Sequence, residues 1–349
     1  MLQAQGYAAK GPTLPLEPFE FERREPGPHD VLVDIQFCGV CHSDIHQARN
    51  EWGGARYPLV PGHEIVGTAS AVGKEVRKFK VGSPVGVGTF VDSCRGCGPC
   101  RDREEQYCQK GAIFTYNSYE RDGKTLTRGG YSTLITVDEA YAFTIPKGMV
   151  PERTAPLLCA GTTTYSPMRH LGVRKGSQVG VVGLGGLGHI AVKFASAMGA
   201  RVTVLSHSPE KEEDARRLGA EGFVATGDPA ALVKHASSFD FILNTVSAKH
   251  DYNSYLNLLG YEGTMVLLGV PEPSPVAAFA LQGNRLRLVG SNVGGTRDTQ
   301  EMLEFSARHG IGADVEVVPI QRINEAFDRT VRSDVRYRFV IDMASLKEP

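Results

Sequence analysis

Cys94, Cys97, Cys100 and Cys108 form the string C-x2-C-x2-C-x7-C, four thiols within fifteen positions. Thiols this close in sequence can reach one tetrahedral cation without long-range help from the fold. Zinc takes four thiolates at about 2.3 Å in structural sites, which are closed to substrate. The string therefore points to a zinc that holds a loop and does no chemistry. Ferredoxin-type cluster loops share the C-x2-C-x2-C opening but continue with x3-Cys-Pro. Here seven residues intervene and no proline follows. The chain has seven cysteines, an odd number, and Met1–Lys10 carries no charged-then-apolar leader. Both point to a reducing, cytoplasmic setting and away from a disulfide framework.

The chain has 349 residues, enough for two domains with cores of their own. Its formal net charge is -1, with both signs mixed along the sequence. That balance suggests neither a nucleic-acid nor a membrane-surface partner, and no apolar run approaches the roughly 20 residues that span a bilayer.

The texture changes along the sequence. Up to about Thr154, short β-like runs such as Val31–Phe37, Glu64–Val72 and Tyr131–Val137 are separated by Gly and Pro, as in a mostly β domain with long loops. Strands and helices then alternate: Gln178–Val182, the helix His189–Met198 ending at Gly199, and Arg201–Leu205. Ser208 and Pro209 open the next helix as N-cap and first helical residue. Further strands are expected over Phe239–Val246, Gly263–Leu268 and Arg285–Val289. Such alternation implies βαβ units and a parallel sheet, an α/β fold. A helix over Thr299–His309 leads into a mixed segment with Asp314–Val318, Asn324–Val331 and Tyr337–Asp342.

Gly183-Leu184-Gly185-Gly186-Leu187-Gly188 follows one of these strands and opens a helix. In that context G-x-G-x-x-G lets the backbone approach a pyrophosphate at a helix N-terminus. An NAD site places an acid at the end of the second strand to hold the ribose 2′-OH. Ser206 occupies that place, and Ser208, Lys211 and His207 lie close by, so the residues favour NADP(H). Glu210 and Glu212 are expected to face solvent.

Three further groups stand out: Cys41-His42-Ser43-Asp44-Ile45-His46, Pro61-Gly62-His63-Glu64, and Cys159 in Leu157-Leu158-Cys159-Ala160-Gly161. Cys2His is one accepted ligand set for a catalytic zinc with an open position. Spacing alone does not join residues this far apart, and each has an ordinary reading as a buried thiol or a loop histidine.

Taken in order, G-V-C-H-S-D-x-H, P-G-H-E, the four-cysteine loop, C-A-G-x-T and G-x-G-G-x-G resemble the zinc-dependent medium-chain alcohol dehydrogenases, over essentially the whole chain. Tyr57–Glu64, Leu157–Gly161 and Asp334–Val340, with Ser206 in place of the acid, resemble the cinnamyl alcohol dehydrogenase branch, which includes NADPH-dependent aldehyde reductases. The resemblance implies a GroES-like β domain over residues 1–154 and 293–349, with the structural zinc loop at 94–108. It implies a Rossmann, doubly wound parallel-sheet domain over 155–292.

It also implies roles. Cys41, His63 and Cys159 would hold a catalytic zinc, giving two zinc ions per chain, with Glu64 approaching from behind and Asp44 bonding the free nitrogen of His63. Ser43 would touch the substrate oxygen and pass a proton through the cofactor ribose to His46. His42 and Arg338 would lie near the cofactor phosphates and Thr163 against the nicotinamide, with Thr245, Val270 and Ser291 as further cofactor contacts. The implied activity is hydride transfer between NADP(H) and an alcohol/aldehyde pair, mainly reducing aromatic or aliphatic aldehydes, in a homodimer. The alternatives are a C=C or imine reductase on the same scaffold and a non-catalytic dinucleotide-binding protein. Trp52, Phe90, Phe114 and Tyr116 are candidate pocket walls, and Cys38 reads as a buried strand thiol.

Overall fold

The computed structural model describes residues 1–347. The chain divides into two compact units, Met1–Cys159 with Gly295–Pro349, and Ala160–Gly294.

The second unit is built on a six-stranded sheet. Its order is Gly222–Ala225, Arg201–Ser206, Gln178–Val182, Phe239–Asn244, Leu259–Leu267, Arg287–Gly290. Every pairing is parallel. Numbered along the chain this is 3-2-1-4-5-6, the doubly wound dinucleotide-binding order. The central strands are β-branched because both faces are covered: Val179, Val181, Val202, Val204 and Ile242 are fully buried. The helix Gly188–Ala197 lies one residue from its expected start. The helix expected from Ser208 is present as a 3-10 turn, Pro209–Lys211, running into Glu212–Arg217. Ser208 is the cap residue by position, but its side chain makes no capping bond. Its N–H instead donates to Ser206 Oγ at 3.2 Å. Glu210 and Glu212 are exposed.

The first unit carries a seven-stranded sheet centred on Asp30–Gly39, which pairs antiparallel with Ile65–Val72, Leu134–Asp138 and Arg338–Asp342. The C-terminal segment thus closes this sheet, with Val315–Pro319 parallel to Arg338–Asp342 at its edge. Cys38 is fully buried on the central strand, a packed thiol as expected. Tyr131 lies ahead of its expected strand, which starts at Leu134, and is fully buried. The strand Asp30–Gly39 delivers the chain to Cys41, and the strand Ile65–Val72 starts directly after Glu64. Both ends meet at the site described next.

Candidate metal centres and cofactor edge

Cys41 is the N-cap of the helix His42–Ala48, and Asp44 is its third residue. Asp44 is fully buried, and its carboxylate is the hub of the site. Oδ2 accepts from the Cys41 N–H at 3.0 Å and from the Tyr131 hydroxyl at 3.2 Å. Oδ1 accepts from the Gly62 N–H at 3.0 Å and from His63 Nδ1 at 2.9 Å. Four donors replace the water a buried carboxylate gives up. The bond to Asp44 also orients the imidazole: Nδ1 faces the carboxylate and Nε2 faces the thiols, where it can bind a metal once its proton has left.

Nε2 is buried and has no hydrogen-bond partner. Around it, one ligand atom each of Cys41, His63, Glu64 and Cys159 lie within 4.8 Å of one another. Cys159 follows the turn Ala155–Leu158 and is 7% exposed. A hydrogen bond from Cys159 holds the Cys41 thiol well below its ordinary value, helped by Arg338 and His63 against burial. The same bond, with burial, pushes Cys159 well up. Burial works against charge on His63, but Asp44 and Cys41 outweigh it and raise its proton affinity.

Glu64 is fully buried, with Oε1 paired to the Arg338 guanidinium and Oε2 unpartnered. Burial pushes Glu64 up to about 7 even with Arg338 beside it. Arg338 itself is 6% exposed, so its guanidinium is committed to the carboxylate. An orphaned imidazole nitrogen, an orphaned carboxylate oxygen and two thiols sharing a proton fit a zinc ion in type and number.

Ser43 Oγ lies 3.7 Å from Cys41 Sγ. His46, one turn on, directs Nδ1 to the Glu51 carboxylate and stacks on Trp52 with ring centroids 4.8 Å apart. The His42 ring lies 6.0 Å from that of His46. Tyr116 is buried with its ring 5.8 Å from His63. Of the other aromatic wall candidates, Phe90 packs edge-on to Tyr141 in the core, and Phe114 is half exposed on a short two-stranded sheet. The partners Tyr131 and Glu51 were not singled out from sequence. Tyr131 is joined to Asp44, 87 residues away, by the fold alone, whereas Glu51 lies five residues from His46 and its signal was local.

The four thiols of Cys94, Cys97, Cys100 and Cys108 also lie within 4.8 Å of one another. Cys100 Sγ is 3.3 Å from Cys97 Sγ and 3.8 Å from Cys94 Sγ. A tetrahedron of thiolates at about 2.3 Å from zinc has edges of ~3.8 Å. Backbone N–H groups of Gly96 and Cys97 hold the Cys94 thiol down to about 6, and those of Gln109 and Cys100 lower Cys97. Burial pushes Cys100 up to about 12. All seven cysteines are free.

In the second unit the cofactor candidates gather at one edge of the parallel sheet. The glycine loop follows Gln178–Val182, Ser206 ends Arg201–Ser206, and Thr245 follows Phe239–Asn244. Val270 and Ser291 follow Leu259–Leu267 and Arg287–Gly290. All are carboxyl ends, where ligands of open α/β sheets bind. Gly183 has φ +87°, and a Cβ on Gly188 would meet Gly183 O at 2.0 Å, so helix and strand close up only through glycine. Gly185 is exposed with open space beside it. Lys211 Nζ reaches back to Leu184 O at 3.1 Å, tying the second turn to this loop. His207 and Val270 are exposed. Thr163 is buried on the helix Ala160–Leu171.

Comparison with known proteins agrees with this architecture. The alcohol dehydrogenase GroES-like domain matches residues 27–147, and the zinc-binding dehydrogenase domain matches residues 186–308. The chain is 54% identical over 347 residues to NADP-dependent alcohol dehydrogenase C of Mycobacterium bovis, covering 99% of this chain and 100% of that protein. The chain belongs to the zinc-dependent medium-chain alcohol dehydrogenases. Within that family it falls in the cinnamyl alcohol dehydrogenase branch. A cinnamyl alcohol dehydrogenase structure from Sorghum bicolor superposes with a TM-score of 0.96 at 45% identity, covering 98% of each chain. The structure of CAD from Helicobacter pylori complexed with NADP(H) superposes at 0.92 and 42% identity, covering 98% of this chain and 99% of that one. As a dehydrogenase of this family, the chain pairs a GroES-like unit bearing both thiol clusters with a Rossmann unit bearing the glycine loop.

Proposed function

We propose that this alcohol dehydrogenase works mainly as an NADPH-dependent aldehyde reductase. It carries two zinc ions, one at Cys41, His63 and Cys159 and one at the four-cysteine loop. The observation that carries this reading is the buried, unpartnered His63 Nε2, oriented by Asp44 among two thiols. A zinc held there would act as a Lewis acid on a carbonyl oxygen, and NADPH would supply the hydride.

The chain's own residues do the rest. Asp44 fixes the His63 tautomer and anchors Cys41 and Gly62 through their N–H groups. Glu64 is held from behind by Arg338, which leaves Oε2 facing the ligand atoms. Ser43 Oγ donates the proton that a developing alkoxide needs. His46, with Nδ1 fixed on Glu51, exchanges a proton with water at Nε2. Tyr116, beside His63, and Trp52, stacked on His46, give the substrate an aromatic surround suited to aromatic or medium aliphatic aldehydes.

Ser206 favours NADPH because no carboxylate sits there to repel a 2′-phosphate, while Ser208 and Lys211 lie on the same turn. A retained ligand set argues for catalysis and against a purely dinucleotide-sensing protein. An assay of aldehydes with NADPH and NADH, paired with metal analysis, tests the whole reading. Saturated aldehyde from an enal would favour C=C reduction instead.

We further propose a homodimer built through the Rossmann unit. The strand Arg287–Gly290 ends the sheet, and Phe279 on the neighbouring helix Ala278–Gly283 is 86% exposed. A cytoplasmic location fits seven free thiols. Among the described residues no helix is long and apolar enough to cross a membrane.

A further inference from the structure

Beside the four-cysteine loop, within the first unit, is a half-open bowl of about 520 Å³ that the reaction does not use. Pockets for small molecules begin at roughly 300 Å³. Its rim carries Lys78, Arg95, Arg101 and Arg103 against two carboxylates, Glu105 and Glu139. Both carboxylates are already engaged. Glu105 takes the Thr296 N–H at 2.9 Å and the Thr296 hydroxyl at 2.8 Å. Glu139 Oε2 takes the backbone N–H groups of Arg77 and Lys78 at 2.9 and 2.8 Å.

The cations are less well matched. Arg95 is neutralised by Asp92 and Asp138. Among the described residues Arg101 hydrogen-bonds only the Gly96 carbonyl, and Lys78 Nζ only Ala142 O, at 2.5 Å, while lying over the Phe79 and Phe143 rings. Among the described residues the Arg103 side chain makes no hydrogen bond or ion pair. Burial lowers the Lys78 ammonium most; Glu139 opposes that, and Arg103 lies close enough for its charge to add to it. Cations that repel one another persist side by side at a cost that an anion between them removes.

The floor is aromatic and leads to the metal loop. Tyr141 and Phe143 line it, and the Tyr141 hydroxyl lies 2.7 Å from Ser93 Oγ, which lies 3.2 Å from Cys100 Sγ. We propose that this bowl binds a small dianionic oxyanion ligand, a phosphate or phosphate monoester, between Lys78, Arg101 and Arg103. The ligand is distinct from the dinucleotide, whose glycine loop belongs to the other unit.

The test is isothermal titration of inorganic phosphate and of glucose 6-phosphate into the zinc-loaded full chain, with NADPH saturating. Wild type is expected to bind one equivalent with a Kd below about 1 mM. Arg103→Gln and Lys78→Met are each expected to weaken binding at least about fivefold, with aldehyde reduction in phosphate-free buffer unchanged. Arg103→Gln removes no hydrogen bond or ion pair among the described residues, so it remains decisive if Lys78→Met folds poorly. Equal affinity for the two probes identifies a bare oxyanion site; tighter sugar phosphate identifies an ester whose body meets Tyr141 and Phe143. Absence of saturable binding for both probes overturns the proposal, as does an Arg103→Gln protein that binds like wild type.

Discussion

His63 Nδ1 and Asp44 Oδ1, 19 residues apart in sequence, lie 2.9 Å apart in a buried site. This contact decides which imidazole nitrogen faces Cys41 and Cys159. Outer partners of metal-binding histidines typically contribute 10–100-fold in metal affinity. Asp44→Asn replaces a carboxylate that accepts four hydrogen bonds by an amide whose NH2 must face donors. Its affinity for the zinc at this site is expected to fall about 10–100-fold in chelator competition. An unchanged affinity would mean that His63 needs no such orientation.

The proton state of the same cluster predicts how zinc enters it. His63 holds its proton well above 6.5 and Cys159 well above 9.0, whereas Cys41 is already pulled down toward the thiolate. Zinc takes the deprotonated forms of all three. Near neutral pH, one proton from His63 and one from Cys159 should be released, about two per ion. Apparent affinity should rise as pH climbs through these ranges. A pH-indicator titration of protein whose cysteine loop is already loaded measures this directly. Proton-neutral uptake would contradict it.

The four-cysteine loop is expected to stabilise without catalysing. Cys100→Ser should lower zinc content from two ions per chain to one, lower thermal stability, and leave substrate KM close to wild type in the protein that remains folded. Loss of both ions together would show that the two clusters are not independent.

Ser206→Asp should raise KM for NADPH at least about tenfold and improve the use of NADH, because a carboxylate there repels a 2′-phosphate and accepts from a 2′-OH. Steady-state kinetics with both cofactors measure the shift. Unchanged preference would place the discrimination elsewhere, with Lys211 the next residue to replace.

What could be read from the sequence, and what could not, follows from range. The cysteine loop and the glycine loop are local: their spacing carries their chemistry, and their atoms lie together in the structure. Gln178–Val182 matches its strand end to end because its buried residues Val179–Val182 form an uninterrupted apolar run between a polar start and the glycine loop. Cys41, His63 and Cys159 are scattered along the sequence, and only resemblance to a family joined them. The Glu64–Arg338 pair spans 274 residues, made neighbours when the strand Arg338–Asp342 joins the sheet beside Asp30–Gly39. Resemblance gave Arg338 a place near the cofactor; the partner that the sequence did not signal is Glu64, a buried carboxylate that needs a cation. Tyr131 reads as a strand residue by its neighbours, yet it stands before the strand as a donor to Asp44.

The most direct measurement of the central claim is aldehyde reduction by Cys159→Ala protein that still binds NADPH and keeps its four-cysteine zinc. Turnover is predicted to fall at least about a thousandfold, with NADPH affinity within about threefold of wild type. Reduction at the wild-type rate by that protein would contradict the assignment of Cys41, His63 and Cys159 as the catalytic metal site.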